Sequence, residues 1–181
     1  MYRRMKRTLI AGVGYGNLTD LSVGPIAIEE LSREQWPDHV DVEDLSIGAV
    51  HAVHWLTART PLYERVVFVA AADRGFGRPR VRYYRWNGEL PSDEEIQARV
   101  AEAVMGVVDL DSMLVVTQHF DALPPEVYVI EVQPLSQEFG IDATPEVRAL
   151  LPEIRRLARR LAEEPSSELG LPSHVRPTGE R

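Results

Sequence analysis

The sequence predicts a single α/β domain with a mixed, mostly parallel sheet and helices on both faces. Three observations lead there. Short apolar runs alternate along the chain with segments of helical spacing, the pattern that lays helices over both sides of a sheet. Two of those runs, 66–72 and 126–133, read as strands buried on both faces. The 181 residues show no internal repeat and no linker long enough to divide them, and one domain usually takes roughly 100–200 residues.

Residues 8–13 make the first strand, which runs into the glycine-rich loop Gly12-Val13-Gly14-Tyr15-Gly16-Asn17. Over 22–32, Val23, Ile26, Ala27 and Leu31 fall on one helical face, with Ser22 as N-cap and Pro25 in the first turn. Trp36-Pro37-Asp38 turns the chain into a strand at 40–43, and a helix follows over 49–57. Residues 80–86 alternate and read as a strand near a sheet edge. Pro91-Ser92-Asp93-Glu94-Glu95 opens a helix to about 104, and 111–120 is a weaker helix. The last helix spans 145–162, with Val147, Leu150, Leu151, Ile154, Leu157 and Leu161 as its apolar stripe. Residues 1–163 are expected to form the domain, and 164–181, rich in Pro, Ser and Gly, a flexible tail.

Composition removes several function classes. A chain that is 44% hydrophobic and 27% charged can bury a core. A net charge of −8 argues against nucleic acid as a partner, since phosphate neutralisation supplies most of that affinity. The absence of cysteine excludes disulfides, thiolate metal sites and a cysteine nucleophile. The apolar runs are too short for a membrane span, so the expected location is the cytoplasm, with no membrane partner. The basic residues before 8–13 imitate an export signal, but no small-residue cleavage site follows.

The chemistry-bearing residues allow several readings. Gly12 and Gly14 after a strand resemble a dinucleotide loop, but Asn17 takes the place of the third glycine and the helix starts only after Asp20. A small ligand- or nucleotide-binding α/β protein is therefore the alternative from another class. No Gly-x-Ser-x-Gly is present. His51 and His54 share a helical face, either as a metal pair or as surface residues. Asp20, Asp44 and Asp73 follow the first three strands and would converge beyond their carboxyl ends, unless Asp20 and Asp44 cap the next helices.

One arrangement of blocks is more specific. The segment 12–24 carries Gly12, Gly14, Asn17, Asp20 and Gly24; the segment 42–48 ends a strand with Asp44, Leu45, Ser46 and Gly48. The segment 123–134 is a late strand closed by Gln133-Pro134, and Thr144-Pro145-Glu146-Val147 opens the last helix. In order and spacing, over about residues 8–162, these blocks resemble the nickel–iron hydrogenase maturation endopeptidases. The resemblance implies the fold already predicted. It also implies removal of a C-terminal peptide from the hydrogenase large-subunit precursor, with the substrate's nickel read by a Glu or Asp, an Asp and a His.

At the matched positions this chain has Leu21, Ala70 and, near the third, Gly106. None can coordinate a metal. The expectation is therefore an assembly factor on the precursor, non-proteolytic or with an altered site, and with no cofactor of its own. The alternative is an active endopeptidase whose site has moved to Asp20, Asp73 and His119, the one case in which substrate nickel would be bound. The expected cleft is bounded by Gly14, Asn17, Asp20, Asp44, Ser46, Gly48 and Asp73. Arg78, Arg80, Arg82, Tyr84 and Trp86 form the candidate docking surface for the partner, or else a charged edge strand. A monomer or weak dimer is expected.

Overall fold

The first apolar run becomes β1 (Thr8–Val13), every residue of which is buried. The structure, a computed structural model, describes residues 5–59, 62–171 and 173–174. β1 pairs in parallel with β2 (Val40–Asp44) on one side and β3 (Arg65–Ala71) on the other. β3 pairs in parallel with β5 (Glu126–Val132), and β5 runs antiparallel to β4 (Val81–Trp86). The two-residue β6 (Ser173–His174) adds to the outer side of β4, giving the order β2-β1-β3-β5-β4-β6. The sheet is mixed and mostly parallel, as expected. β3 and β5 are buried along their whole length, because helices cover both faces.

One face carries α1 (Val23–Leu31) and α6 (Leu151–Glu163), whose Ala27, Leu31, Ile154, Leu157 and Leu161 pack on Ile10, Val67, Val69, Tyr128 and Ile130. The other carries α2 (Ala49–Thr57), α3 (Asp93–Val104) and α4 (Leu110–His119) over Leu9, Ala11, Val66, Phe68 and Val129. α3 starts where Ser92 Oγ accepts the Glu95 N–H, and α4 where Asp109 accepts the Ser112 N–H. α4 is buried at Leu110 and from Ser112 through Thr117. Burial on nearly all sides explains why its sequence shows so little amphipathic contrast.

Three expectations need correction. The last helix is two: α5 (Pro145–Arg148) and α6, with Leu150 as the N-cap between them. Pro152 causes the break, since its ring lacks an N–H and clashes with the carbonyl four residues back. Ser22 makes no side-chain cap; a 3-10 turn (Thr19–Ser22) precedes α1, and Ser22 Oγ accepts the Leu18 N–H. The segment expected to be a flexible tail from 164 folds onto the domain over its first part. There α7 (Ser166–Leu169) buries Leu169 among the residues of α6, and Arg65 donates to Glu164 O and Ser166 Oγ. The rest of that tail, beyond 174, lies outside the described residues.

Candidate functional site

The chain leaves β1 toward β2 on one side and passes to β3 on the other. The strand order therefore reverses direction between β1 and β3, the place where open α/β sheets bind ligands. A cleft of about 250 Å³ lies there. Val13, Gly14, Tyr15 and Leu21 form one wall, 71–74 the floor, and Arg99 with 108–111 the other wall, closed by Gln137. The wall at 108 is fixed from across the cleft, because the Val108 N–H donates to Tyr15 Oη at 3.0 Å.

The floor is organised by one guanidinium. Arg74 forks onto Asp111 (2.9 and 2.7 Å) and reaches Glu131 Oε2 at 3.0 Å. Tyr84 Oη donates to the same Glu131 oxygen at 3.2 Å, and Arg82 lies 3.5 Å from the other. Burial works against the Arg74 charge, yet the bonds to Asp111 and Glu131 hold it above the ordinary arginine value. Burial and the neighbouring Glu131 push the Tyr84 phenol up. The four charges cancel, so the cluster presents little net charge to a ligand.

Asp73 differs. It is exposed at the mouth, where Oδ1 accepts from the Gln133 amide (2.8 Å) and the Gly75 N–H (2.9 Å), and Oδ2 from the Gln137 amide (3.0 Å). The Gln133 and Gly75 donors hold its carboxyl below the usual value. Asp73 is thus a fixed, ionised acceptor facing solvent. Arg99, on the opposite wall, is spread over Glu95, Glu102 and Asp109 at 3.5–3.9 Å.

Only part of the expected cleft assembles. Gly14 and Asp73 line it; Asn17, Asp44, Ser46 and Gly48 do not. Asp44 ends β2, two strands from β3, and turns back to accept the Ser46 N–H. The Ser46 hydroxyl is enclosed without a hydrogen-bond partner among the described residues. Asp20 is fully buried. Its Oδ2 accepts the Leu135 and Ser136 N–H groups at 2.8 and 2.9 Å, and its Oδ1 the Thr144 N–H at 2.7 Å and hydroxyl at 2.9 Å. It is a clamp on the loop 134–144 rather than a group facing substrate.

His119 ends α4, whose other end forms the cleft wall, so it sits about 14 Å away at the usual 1.5 Å rise per residue. The trio Asp20, Asp73 and His119 does not come together. His51 and His54 are exposed on α2, and no group of three metal-binding side chains occurs among the described residues. Of the candidate docking residues, Tyr84 and Trp86 are buried, because their side of β4 faces α4 and the core; Arg78 and Arg80 are exposed, and Arg82 is partly buried on Glu131.

Sequence reasoning did not assign Tyr15, Arg74, Arg99, Asp109, Asp111 or Gln137 to the cleft. One signal was available: Glu131, a lone carboxylate inside an apolar strand, demands a buried cation.

The three positions that the resemblance matches to metal ligands lie in the same geometry. Leu21 presents an alkyl group to the cleft, Ala70 is buried in the core beneath it, and Gly106 turns at a φ of +94° with no side chain. This donor set does not fit nickel or another transition metal. Nor does the glycine loop fit a pyrophosphate. The Tyr15 N–H already donates to Leu21 O, and Gly24 in the first turn of α1 is pressed so closely on β1 that a Cβ would lie 2.2 Å from Val13 O.

No protein-family model matches the chain, and no curated protein does. Solved structures do. A hydrogenase 2 maturation peptidase from a Thaumarchaeota archaeon is 26% identical, over 92% of this chain and all of that one, with a TM-score of 0.56. The hydrogenase maturating endopeptidase HybD of E. coli is 20% identical over 83% of this chain and 88% of that one, at a TM-score of 0.61. HybD of Thermococcus kodakarensis is 19% identical over 87% and 99%, at 0.57. The fold implied by the resemblance of the blocks at 12–24, 42–48, 123–134 and 144–147 is borne out: the chain has the mixed, mostly parallel α/β fold of the hydrogenase maturation proteases.

Proposed function

We propose that the chain is a hydrogenase maturation factor that binds the large-subunit precursor at this cleft without cutting it. One observation carries the reading: Leu21, Ala70 and Gly106 stand where the resemblance expects the residues that read the substrate's nickel. Alkyl groups and a bare Cα offer no lone pair to a metal. The fold and the cleft at its switch point remain, and they supply a surface for the partner rather than a reaction centre. A moved active site finds less support, because Asp20 spends its oxygens on the loop and His119 lies at the far end of α4.

The factor acts in the cytoplasm as a monomer or weak dimer. No helix among the described residues is long and apolar enough to cross a membrane, which fits this reading. The test is incubation of the full chain with a nickel-loaded large-subunit precursor, read by intact mass and co-elution. A complex of unchanged mass is expected. Release of a C-terminal peptide overturns the reading, and a release that Asp73→Asn abolishes transfers it to the relocated endopeptidase.

A further inference from the structure

We propose that the loop 134–144 is a preformed docking element for a segment of a partner protein in which apolar residues flank a basic side chain. This deepens the function proposed above and rests on it only in placing a protein partner at the cleft.

The first support is an unusual pairing of exposure with rigidity. Phe139 is 79% exposed, Ile141 83% and Leu135 49%. Single exposed apolar residues are ordinary, but three within seven residues concentrate apolar surface on one loop. The backbone that carries them is tied down along its length. Asp20 holds the N–H groups of Leu135, Ser136 and Thr144. Thr19 Oγ1 donates toward Ser136 O and Glu138 O at 2.8 and 3.1 Å. Gly140 exchanges backbone bonds with Asn17 and Thr19 at 2.9 and 3.0 Å. Thr19 itself has a φ of +39°, a conformation a β-branched residue keeps only where its surroundings impose it. A loop ordered before binding loses little further entropy on binding, so its apolar side chains act as anchors.

The second support is charge. The Gln137 amide ties the loop to Asp73, whose carboxylate is exposed at the cleft mouth, and Glu138 is exposed beside Phe139. Among the described residues neither carboxylate has a Lys, Arg or His within 4.0 Å, whereas Asp142 is neutralised by Arg148. Arg74, next in sequence to Asp73, is spent on Asp111 and Glu131. The loop surface is therefore apolar with an unneutralised negative border, and its complement is apolar with a basic residue. A second copy meeting loop to loop would set these carboxylates against each other.

The probe is a displayed library of random 12-residue peptides selected on the full wild-type chain. The selected peptides are then tested on the double variant Phe139→Ser, Ile141→Ser and on Asp73→Asn. Both altered anchors are solvent-facing, so the melting curve of the double variant should match the wild type. Enrichment of Arg or Lys flanked by Leu, Ile, Val or Phe is expected. Loss of the anchors should weaken binding by at least about tenfold. In Asp73→Asn the salt dependence should shrink. No enrichment, acidic consensus peptides, or equal affinity for the double variant overturns the proposal. So does concentration-dependent self-association in sedimentation that the double variant abolishes. The precursor is absent from this experiment. Peptide binding without precursor binding removes the proposed function and keeps the docking element; precursor binding unaffected by the double variant does the reverse.

Discussion

A buried arginine is tied to carboxylates at each end of the sheet, and the two arrangements can be compared group by group. At the amino ends of the strands, Arg65 meets Glu126 across the β3–β5 register at 2.9 Å. Its other donors go to Leu161 O, Glu164 O and Ser166 Oγ, and Glu126 also accepts from Lys6. Every group is spent on fastening one piece of chain to another. At the carboxyl ends, Arg74 is equally spent, on Asp111 and Glu131, but the turn it stabilises carries Asp73 out to solvent with its charge intact. The difference teaches what separates a staple from a site. Both contain a buried, satisfied ion pair, and only one leaves beside it a solvent-facing carboxylate that amide and backbone donors hold in place with no ion-pair partner.

The largest effect should come from breaking the staple. Arg65→Met leaves Glu126 buried without its main cation, and urea unfolding should register a loss of about 3–5 kcal/mol; a loss below about 1 kcal/mol would mean that Lys6 and Ser166 suffice. Asp20→Asn comes next. It removes a charged acceptor from buried N–H donors and should cost about 2–3 kcal/mol, with amide exchange at 135, 136 and 144 speeding up before the rest of the sheet. Unchanged exchange there would contradict the clamp.

Acid separates the two ends further. Burial raises the Glu126 carboxyl, but the bonds from Lys6, Ser166 and Arg65 outweigh it and bring it from 4.5 down to about 2. A depressed carboxyl stabilises the fold fully above its unfolded value, so this contribution is lost as pH falls from about 4.5 to about 2. In Arg65→Met that part of the pH–stability curve should flatten. The smallest effect on stability belongs to Asp73→Asn, within about 0.5 kcal/mol because the group is exposed, while partner binding measured on the same sample should weaken.

How much of this was legible varied with how local the cause was. β3 and β5 declared themselves, because a strand buried on both faces is apolar residue after residue. The helix from Asp93 was equally plain, its cap and first-turn acids lying within four residues. The reading of 80–86 found the strand but misjudged what Tyr84 and Trp86 face, since alternation gives two faces without saying which is inside. Asp20 was correctly singled out but expected on the cleft or as a helix cap, whereas it is buried against the loop 134–144. Nothing local reveals that its donors come from 135, 136 and 144, more than a hundred residues on. The Arg74 cluster was hidden for the same reason, its partners standing 37 and 57 positions away.

The tight contact at Gly24 has a consequence for the width of the binding mouth. With no Cβ there, α1 sits against β1 and β3 at a fixed standoff, and the turn that enters it brings Leu21 and Tyr15 to one wall of the cleft. Gly14 sets the same spacing from the other side, where a Cβ would lie 2.3 Å from Leu21 O. The glycines that look like a phosphate cradle are therefore spacers, in the manner of shims under a jaw. Even a methyl group at either position would lift α1 and open the jaw, shifting the wall that Tyr15 holds against Val108. A glycine-rich loop after a first strand can thus be read as a ruler for an aperture, with no nucleotide in view.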